Sequence, residues 1–300
     1  MYPLNYIEPV FRPPSEWKSL ILQVTNGCSW NRCTFCDMYT DEGKQFKPKK
    51  ITQIETEIIK VAKSGIPVRR VFLADGDAMM LPFNRLKGIL ELINIHLPQV
   101  TRVSSYCLPR NLGNKSVEQL AALQALGLKL LYVGCESGDD EVLALVEKGE
   151  TYQSSLIALT KIKQARMKSS VMILNGLGGP ELSHQHAINS AKLMNEAQPN
   201  YLSTLVVSFP LGEQRFAQQF TQSSLQPFRQ LTQQELFVEM ETLLSELNLE
   251  RTIFRSDHAS NYLVLKGVLG NDKELLLKQV RQALHQPSTS NLRQEWQLGL

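Results

Sequence analysis

The chain is predicted to be an α/β protein, an incomplete (β/α)6 barrel (a partial TIM barrel) with a C-terminal helical extension. Short apolar runs rich in β-formers recur at Leu20–Thr25, Arg70–Ala74, Arg102–Tyr106, Lys129–Val133, Ser170–Asn175 and Tyr201–Val207. Amphipathic stretches lie between them, near 50–64, 83–96, 116–126, 139–147 with 152–167, and 183–197. Glycine or proline punctuates the joints, as at Gly65-Ile-Pro67, Leu97-Pro98 and Gly127. Nearly continuous apolar strands alternating with helices imply parallel strands covered by helices. Six such units make a partial barrel, and barrels of this kind carry their chemistry on the loops that follow the strands.

Around that core the organisation is expected to be simple. Residues 1–17, with Pro9, Pro13 and Pro14, read as an extended arm, and 18–210 as the core barrel. Beyond 210 the alternation weakens into helices at 213–222 and 232–247, a strand-like run Arg251–Arg255 and a closing helix at 272–285. The segment 211–285 is therefore expected to cover the barrel, and 286–300 to form a loose polar tail despite Trp296.

Three hundred residues with 43% hydrophobic content bury a substantial core. A net charge of +3 is too small to argue for a nucleic-acid partner or a lipid surface, and Lys47-Pro-Lys-Lys50 reads as the solvated start of a helix. No apolar stretch has membrane-spanning length, and Met1-Tyr-Pro-Leu-Asn-Tyr6 lacks the pattern of a secretion signal. Five cysteines, three of them clustered, do not resemble a disulfide framework. A cytoplasmic, reducing location is expected.

The clustered cysteines carry the chemistry. Cys28-Ser-Trp-Asn-Arg-Cys33-Thr-Phe-Cys36 follows the first strand directly, where a barrel places its site. Three soft thiolates on one short loop suit three irons of a cubane [4Fe–4S] cluster. With no fourth cysteine before Cys107, the fourth iron would stay open to an exogenous ligand. A zinc knuckle is the alternative, but structural zinc sites usually close with four protein ligands.

This arrangement resembles the radical S-adenosylmethionine (SAM) superfamily, in which SAM chelates the open iron. Four residues separate Cys28 from Cys33, where the family usually has three; the second gap, Thr34-Phe35, has the usual two. By that resemblance Phe35 packs near the adenine. After the second strand, Asp75-Gly76-Asp77 looks similar to the family's Gly-Gly-Glu turn, which holds the SAM amino group; a plain βα turn is the alternative. Tyr132-Val-Gly-Cys-Glu-Ser-Gly138 resembles the Gly-x-Glu-Ser-Gly segment of the branch containing coproporphyrinogen-dehydrogenase-like and methylthiotransferase-like enzymes. The resemblance puts Glu136 beside the SAM ribose or the substrate, whereas a plain helix-start acid is the other reading. Asn175-Gly-Leu-Gly-Gly-Pro180 resembles the family's glycine-containing fifth-strand segment and lacks the spacing of a phosphate loop. Arg166 is allowed by the resemblance to reach the SAM carboxylate; a surface arginine at a helix end is the other reading.

Substrate candidates are Tyr106, at the third strand's end, and Asp257, His258 and Asn261 in the polar segment Arg255–Tyr262. A turn rich in capping residues also accounts for that segment. No catalytic residue is assigned from sequence. The expected activity is reductive cleavage of SAM to a 5′-deoxyadenosyl radical that abstracts hydrogen from an unidentified substrate, with a flavodoxin or ferredoxin as electron donor. A non-catalytic barrel whose cysteines hold zinc or a cluster for structure is the alternative.

Overall fold

The structure, a computed structural model, describes residues 2–223 and 226–299. The chain divides into two compact units. The first comprises Met1–Asn31, Met38–Val133 and Thr160–Ser169; the second comprises Arg32–Asp37, Gly134–Leu159 and Ser170–Leu300.

In the first unit the chain runs β1 (Leu20–Gln23), β2 (Thr25–Asn26), β3 (Lys47–Pro48), α1 (Ile51–Lys63), β4 (Arg70–Ala74), α2 (Phe83–His96), β5 (Arg102–Cys107), α3 (Val117–Ala125) and β6 (Leu128–Glu136), whose last three residues pass into the second unit. Strands β1, β4, β5 and β6 pair in that order, all parallel. Their continuous burial explains the unbroken apolar runs: all four residues of β1 are buried, as are the last four of β4. Each helix turns one apolar stripe to the core, Ile54, Ile58 and Val61 in α1 and Leu86, Ile89, Leu90 and Ile93 in α2. Ser116 caps α3 and accepts from the Gln119 N–H, with Gln119 reaching back in a capping box.

Two features add to the sequence expectation here. Lys47 and Pro48 pair antiparallel with Asn26 and Thr25, so part of the basic run forms a small ribbon beside the cysteine loop. The N-terminal arm is tied down: Tyr6 donates to the Ile21 carbonyl at 3.0 Å, Ile7 and Gln23 exchange two hydrogen bonds, and buried Glu16 accepts from Arg102 and Tyr132, each at 2.7 Å. The arm thus covers the outer edge of β1.

The second unit contains α4 (Asp140–Leu145), α5 (Tyr152–Gln164), which ends in the first unit, β7 (Lys168–Asn175), whose first two residues belong to the first unit, α6 (Gly179–Ala197), β8 (Tyr201–Val206), α7 (Gln214–Gln222), α8 (Gln233–Glu246), β9 (Ile253–Ser256), β10 (Leu265–Val268) and α9 (Leu269–His285). Strands β7, β8 and β9 pair in parallel, and β10 returns antiparallel on β9. The region beyond 210 therefore contributes two strands as well as helices. Helix α6 starts four residues earlier than its hydrophobic pattern suggests, because Pro180 fits the first helical turn. A core of Val142, Val146, Leu174, Leu177, Phe216, Phe220 and Phe228 binds α4, β7 and α7 together, with Phe35 packed against it.

Residues 286–299, expected to be loose, are held on the 257–262 segment. Arg293 donates to the carbonyls of His258, Asn261 and Asp257, at 2.5, 2.9 and 3.2 Å. Among the described residues no helix is long and apolar enough to cross a membrane, and none of the five cysteines is in a disulfide.

Candidate functional site

The cysteine run is shared between the units, with Cys28 in the first and Cys33 and Cys36 in the second. All three are partly exposed and lie on irregular backbone, whereas Cys107 and Cys135 are buried. Burial pushes the Cys135 thiol up to about 12, as suits an inert core thiol. Among the described residues no group of three or more His, Cys, Asp or Glu side chains is arranged to hold a metal ion. The metal assignment therefore rests on the donor set and on the polar groups near each half of the loop.

In the first unit the loop after β4 faces the start of the cysteine run. Ser29, next to Cys28, donates a short hydrogen bond to Asp77 Oδ2. Asp77 is buried, and its Oδ1 has no hydrogen-bond partner among the described residues. Burial raises its pKa, opposed by Ser29, Asn111 and the Lys115 ammonium. A carboxylate oxygen left without a donor in the interior is costly unless a ligand supplies one. Asp75 has no such vacancy: its two oxygens accept from Lys44 at 2.7 Å and Tyr39 at 2.9 Å. Of the two acids in Asp75-Gly76-Asp77, only Asp77 keeps an unpartnered oxygen. Gly76 sits at φ 76°, and a Cβ there would fall 2.3 Å from the Gly27 carbonyl oxygen, so this position admits glycine alone.

In the second unit the Cys33–Cys36 turn is closed by its own hydrogen bond and held by two outside partners. Thr34 donates its N–H to the Val146 carbonyl at 3.0 Å, Cys36 N–H reaches Cys33 O at 3.2 Å, and Arg215 of α7 donates to the carbonyls of Cys33 and Cys36. Phe35 is anchored in the aromatic core, with the Lys148 ammonium 5.8 Å from its ring centroid. Glu136 ends β6 at φ 65°, a conformation uncommon for a non-glycine residue. Its Oε1 accepts from Lys148 at 3.1 Å, while its buried Oε2 has no partner among the described residues. Burial alone would lower the Lys148 pKa, but Glu136 and then Cys33 outweigh it and hold it raised.

Asp139 performs the helix-capping task, accepting from the Val142 N–H at 2.9 Å, which leaves Glu136 for another use. Ser137 bonds His186 Nδ1 at 2.7 Å. Farther along, buried Glu239 of α8 accepts from the Gly176 N–H at 2.7 Å and Ser183 at 2.5 Å, fixing the glycine-rich turn after β7.

Other sequence-derived candidates are placed differently. Arg166 is exposed, at φ 57°, in the turn that precedes β7. It thus stands at the start of the strand whose far end carries the glycine-rich turn. Tyr106 packs edge-on against Phe72 and Tyr132, with centroids 5.1 and 6.2 Å away, and burial raises its pKa. The Asp257–Asn261 segment completes the edge of β8: Ser260 Oγ accepts from Val206 N–H at 3.1 Å and Asn261 donates to Thr204 O at 2.9 Å. Asn261 also lines a small cavity with Asn175, Ser256 and Tyr262. Half-buried His258 and Asp257 flank it, and Asp257 pairs with Lys266 at 3.0 Å.

Lys44, Lys148, Arg215 and Ser29 were not identified from the sequence. Only Lys148 has a local signal there, a Lys148-Gly149 pair about ten residues beyond the Glu-Ser-Gly segment.

The family model "Radical SAM superfamily" matches residues 22–194, more than half of the chain. The heme chaperone HemW of Bacillus subtilis (strain 168) is 24% identical over 180 residues, covering 58% of this chain and 47% of that protein. The chain spans about half the length of the curated relatives it matches. Among solved structures, methylornithine synthase (PylB) superposes with a TM-score of 0.51 at 15% identity, covering 92% of this chain and 83% of that one. The radical SAM methyltransferase TsrM from Kitasatospora setae, with cobalamin and a [4Fe–4S] cluster bound, gives 0.50 at 18% identity, covering 62% and 36%. By the family match, this chain belongs to the radical SAM superfamily, whose members bind a [4Fe–4S] cluster and SAM.

Proposed function

We propose that the chain is a radical SAM enzyme in which Cys28, Cys33 and Cys36 ligate a [4Fe–4S] cluster and leave one iron open for SAM. The observation that carries this reading is the pair of buried carboxylates, Asp77 and Glu136, each ending or following a parallel strand and each keeping one oxygen without a partner. Asp77 Oδ1 suits an ammonium donor such as the SAM amino group, and Glu136 Oε2 suits hydroxyl donors such as those of a ribose. Gly76 lets backbone approach the cofactor, and Phe35 offers an apolar face to the adenine. When bound, cluster and SAM together supply reductive cleavage to methionine and a 5′-deoxyadenosyl radical, which abstracts hydrogen from substrate.

The chain's own residues bind, orient and shield. Arg215 and Thr34 hold the Cys33–Cys36 turn, and Lys148 fixes the rotamer of Glu136 while offsetting negative charge near Cys33. In this reading residues 18–210 form the family's six-unit partial barrel and 211–285 its extension. An electron donor such as flavodoxin or ferredoxin serves it in a reducing cytoplasm. The substrate is unidentified; Tyr106, near the end of β5, and Asn261, in the loop between β9 and β10, are proposed to face it.

Anaerobic reconstitution with iron and sulfide, followed by electron paramagnetic resonance with and without SAM, tests the proposal. A SAM-dependent change in the cluster signal is expected. Tight stoichiometric zinc with no effect of SAM would instead establish the non-catalytic metal-binding alternative.

A further inference from the structure

Lys44 lies in a polar stretch, Thr40-Asp-Glu-Gly-Lys-Gln45, where nothing in the sequence marks it for burial. Yet its side chain and that of Asp75, 2.7 Å away, are both 0% exposed. A buried ammonium persists only where partners replace its hydration. Lys44 has two, the Asp75 carboxylate and the Ile7 carbonyl at 2.6 Å. Tyr39 donates to the second Asp75 oxygen at 2.9 Å, and Phe11 packs edge-on against the Tyr39 ring at 5.5 Å. The N-terminal arm, the segment after the cysteines and the turn after β4 thus converge on one ion pair in the first unit.

Backbone packing at the same place leaves no slack. A Cβ on Gly27 would lie 1.9 Å from the Lys44 carbonyl oxygen, and one on Gly76 would lie 2.3 Å from that of Gly27. Three stretches of main chain are stacked directly on one another. Asp75 N–H donates to Thr25 O at 3.1 Å, and Thr25 Oγ1 returns a bond to Asp75 O at 2.7 Å. Asp77, with its unpartnered oxygen, is two residues farther on.

Well-packed apolar side chains of the same volume would stabilise such a site at least as well as an ion pair. The pair contributes direction: a carboxylate held at both oxygens, by an ammonium and a phenol, has one seating, whereas apolar groups slide. We propose that Lys44 is a positioning residue for SAM binding, fixing the Gly76–Asp77 turn through Asp75, with the arm from Ile7 to Phe11 as its outer support. The proposal rests on the reading of Asp77 as the acceptor of the SAM amino group.

The test uses the full reconstituted chain with Lys44→Met, Asp75→Asn and the double variant, which contains no unpaired buried charge and is the one expected to fold best. Iron content, amide hydrogen exchange at 75–80 and SAM affinity by calorimetry are measured. The double variant should keep its iron, exchange faster at 75–80, and bind SAM about tenfold or more weakly. Wild-type exchange and affinity in the double variant would make the pair purely structural and overturn the proposal. If Asp77→Ala binds SAM like wild type, the reading of Asp77 falls, and the role of Lys44 with it. Loss in Asp77→Ala but not in the double variant overturns the Lys44 role alone.

Discussion

Lys148 donates to Glu136 at 3.1 Å with both side chains almost wholly buried, and the pairing occupies only one of the two carboxylate oxygens. The geometry separates two tasks that one acid can combine. Oε1 neutralises a buried ammonium, while Oε2 stays open. Removing one partner leaves an uncompensated interior charge, which typically costs about 3–5 kcal/mol. Lys148→Met should therefore lower the urea midpoint strongly, and Lys148→Met/Glu136→Gln should recover most of the loss. Because the folded pKa of Lys148 is raised above its unfolded value, its contribution is complete at neutral pH and fades only as pH climbs through that raised value. The stability deficit of Lys148→Met relative to wild type should therefore stay constant between pH 6 and about 9.

Cys28→Ala, Cys33→Ala and Cys36→Ala should each abolish the brown chromophore and its iron after reconstitution. Cys107→Ala and Cys135→Ala should retain both, because those thiols are buried and Cys135 resists ionisation. Iron analysis and visible absorption decide it. Loss of iron in Cys107→Ala would mean a cluster closed by four protein ligands, with no place for SAM.

Asp77 should give SAM binding a pH dependence. Burial raises its pKa in the free protein, so protonation in the acidic range competes with an incoming ammonium. SAM affinity should therefore rise with pH through that raised value and level off above it. Asp77→Asn should flatten the profile and weaken binding at neutral pH by about 1.5–3 kcal/mol, the contribution of a hydrogen bond to a charged group. Calorimetry across pH 4 to about 7 measures both effects, and an Asn variant with unchanged affinity would return Asp77 to the role of a turn residue.

The sequence was most informative where a segment is buried on both faces or where a motif is local. Leu20–Gln23 and Arg70–Ala74 are legible because a parallel strand inside a helical cover has no polar face to interrupt it. Leu265–Val268 was missed: it is short, contains Lys266 and Gly267, and owes its strand form to the hairpin with β9. The cysteines and the Glu-Ser-Gly segment stood out as motifs. Lys44 did not, since its burial depends on partners at 7 and 75 that no local pattern connects. Asp75 and Asp77 look equivalent in sequence, and only their neighbours tell them apart.

The Glu239 carboxylate shows how a residue far along the chain supports a turn near a candidate site. It is 2% exposed, accepts from the Gly176 N–H and Ser183, and has His186 Nε2 4.0 Å from Oε1. Burial raises its pKa, against the pull of His186, Ser183 and the Gly176 N–H. A carboxyl whose folded pKa lies above its unfolded value gives the folded state more bound protons, so stability falls as pH rises between those two values. Glu239→Gln keeps an acceptor for Gly176 and removes the ionisation. It should therefore match wild type in acid, equal or exceed it at neutral pH, and lose the pH dependence across that window. Glu239→Ala instead leaves the buried Gly176 N–H unpaired, at about 1–3 kcal/mol, takes the acceptor from half-buried Ser183, and should be the less stable variant at every pH. Urea denaturation at pH 5 and about 8 separates the two variants. A Gln variant as unstable as the Ala variant would show that the charge itself, held against His186, is what the fold requires.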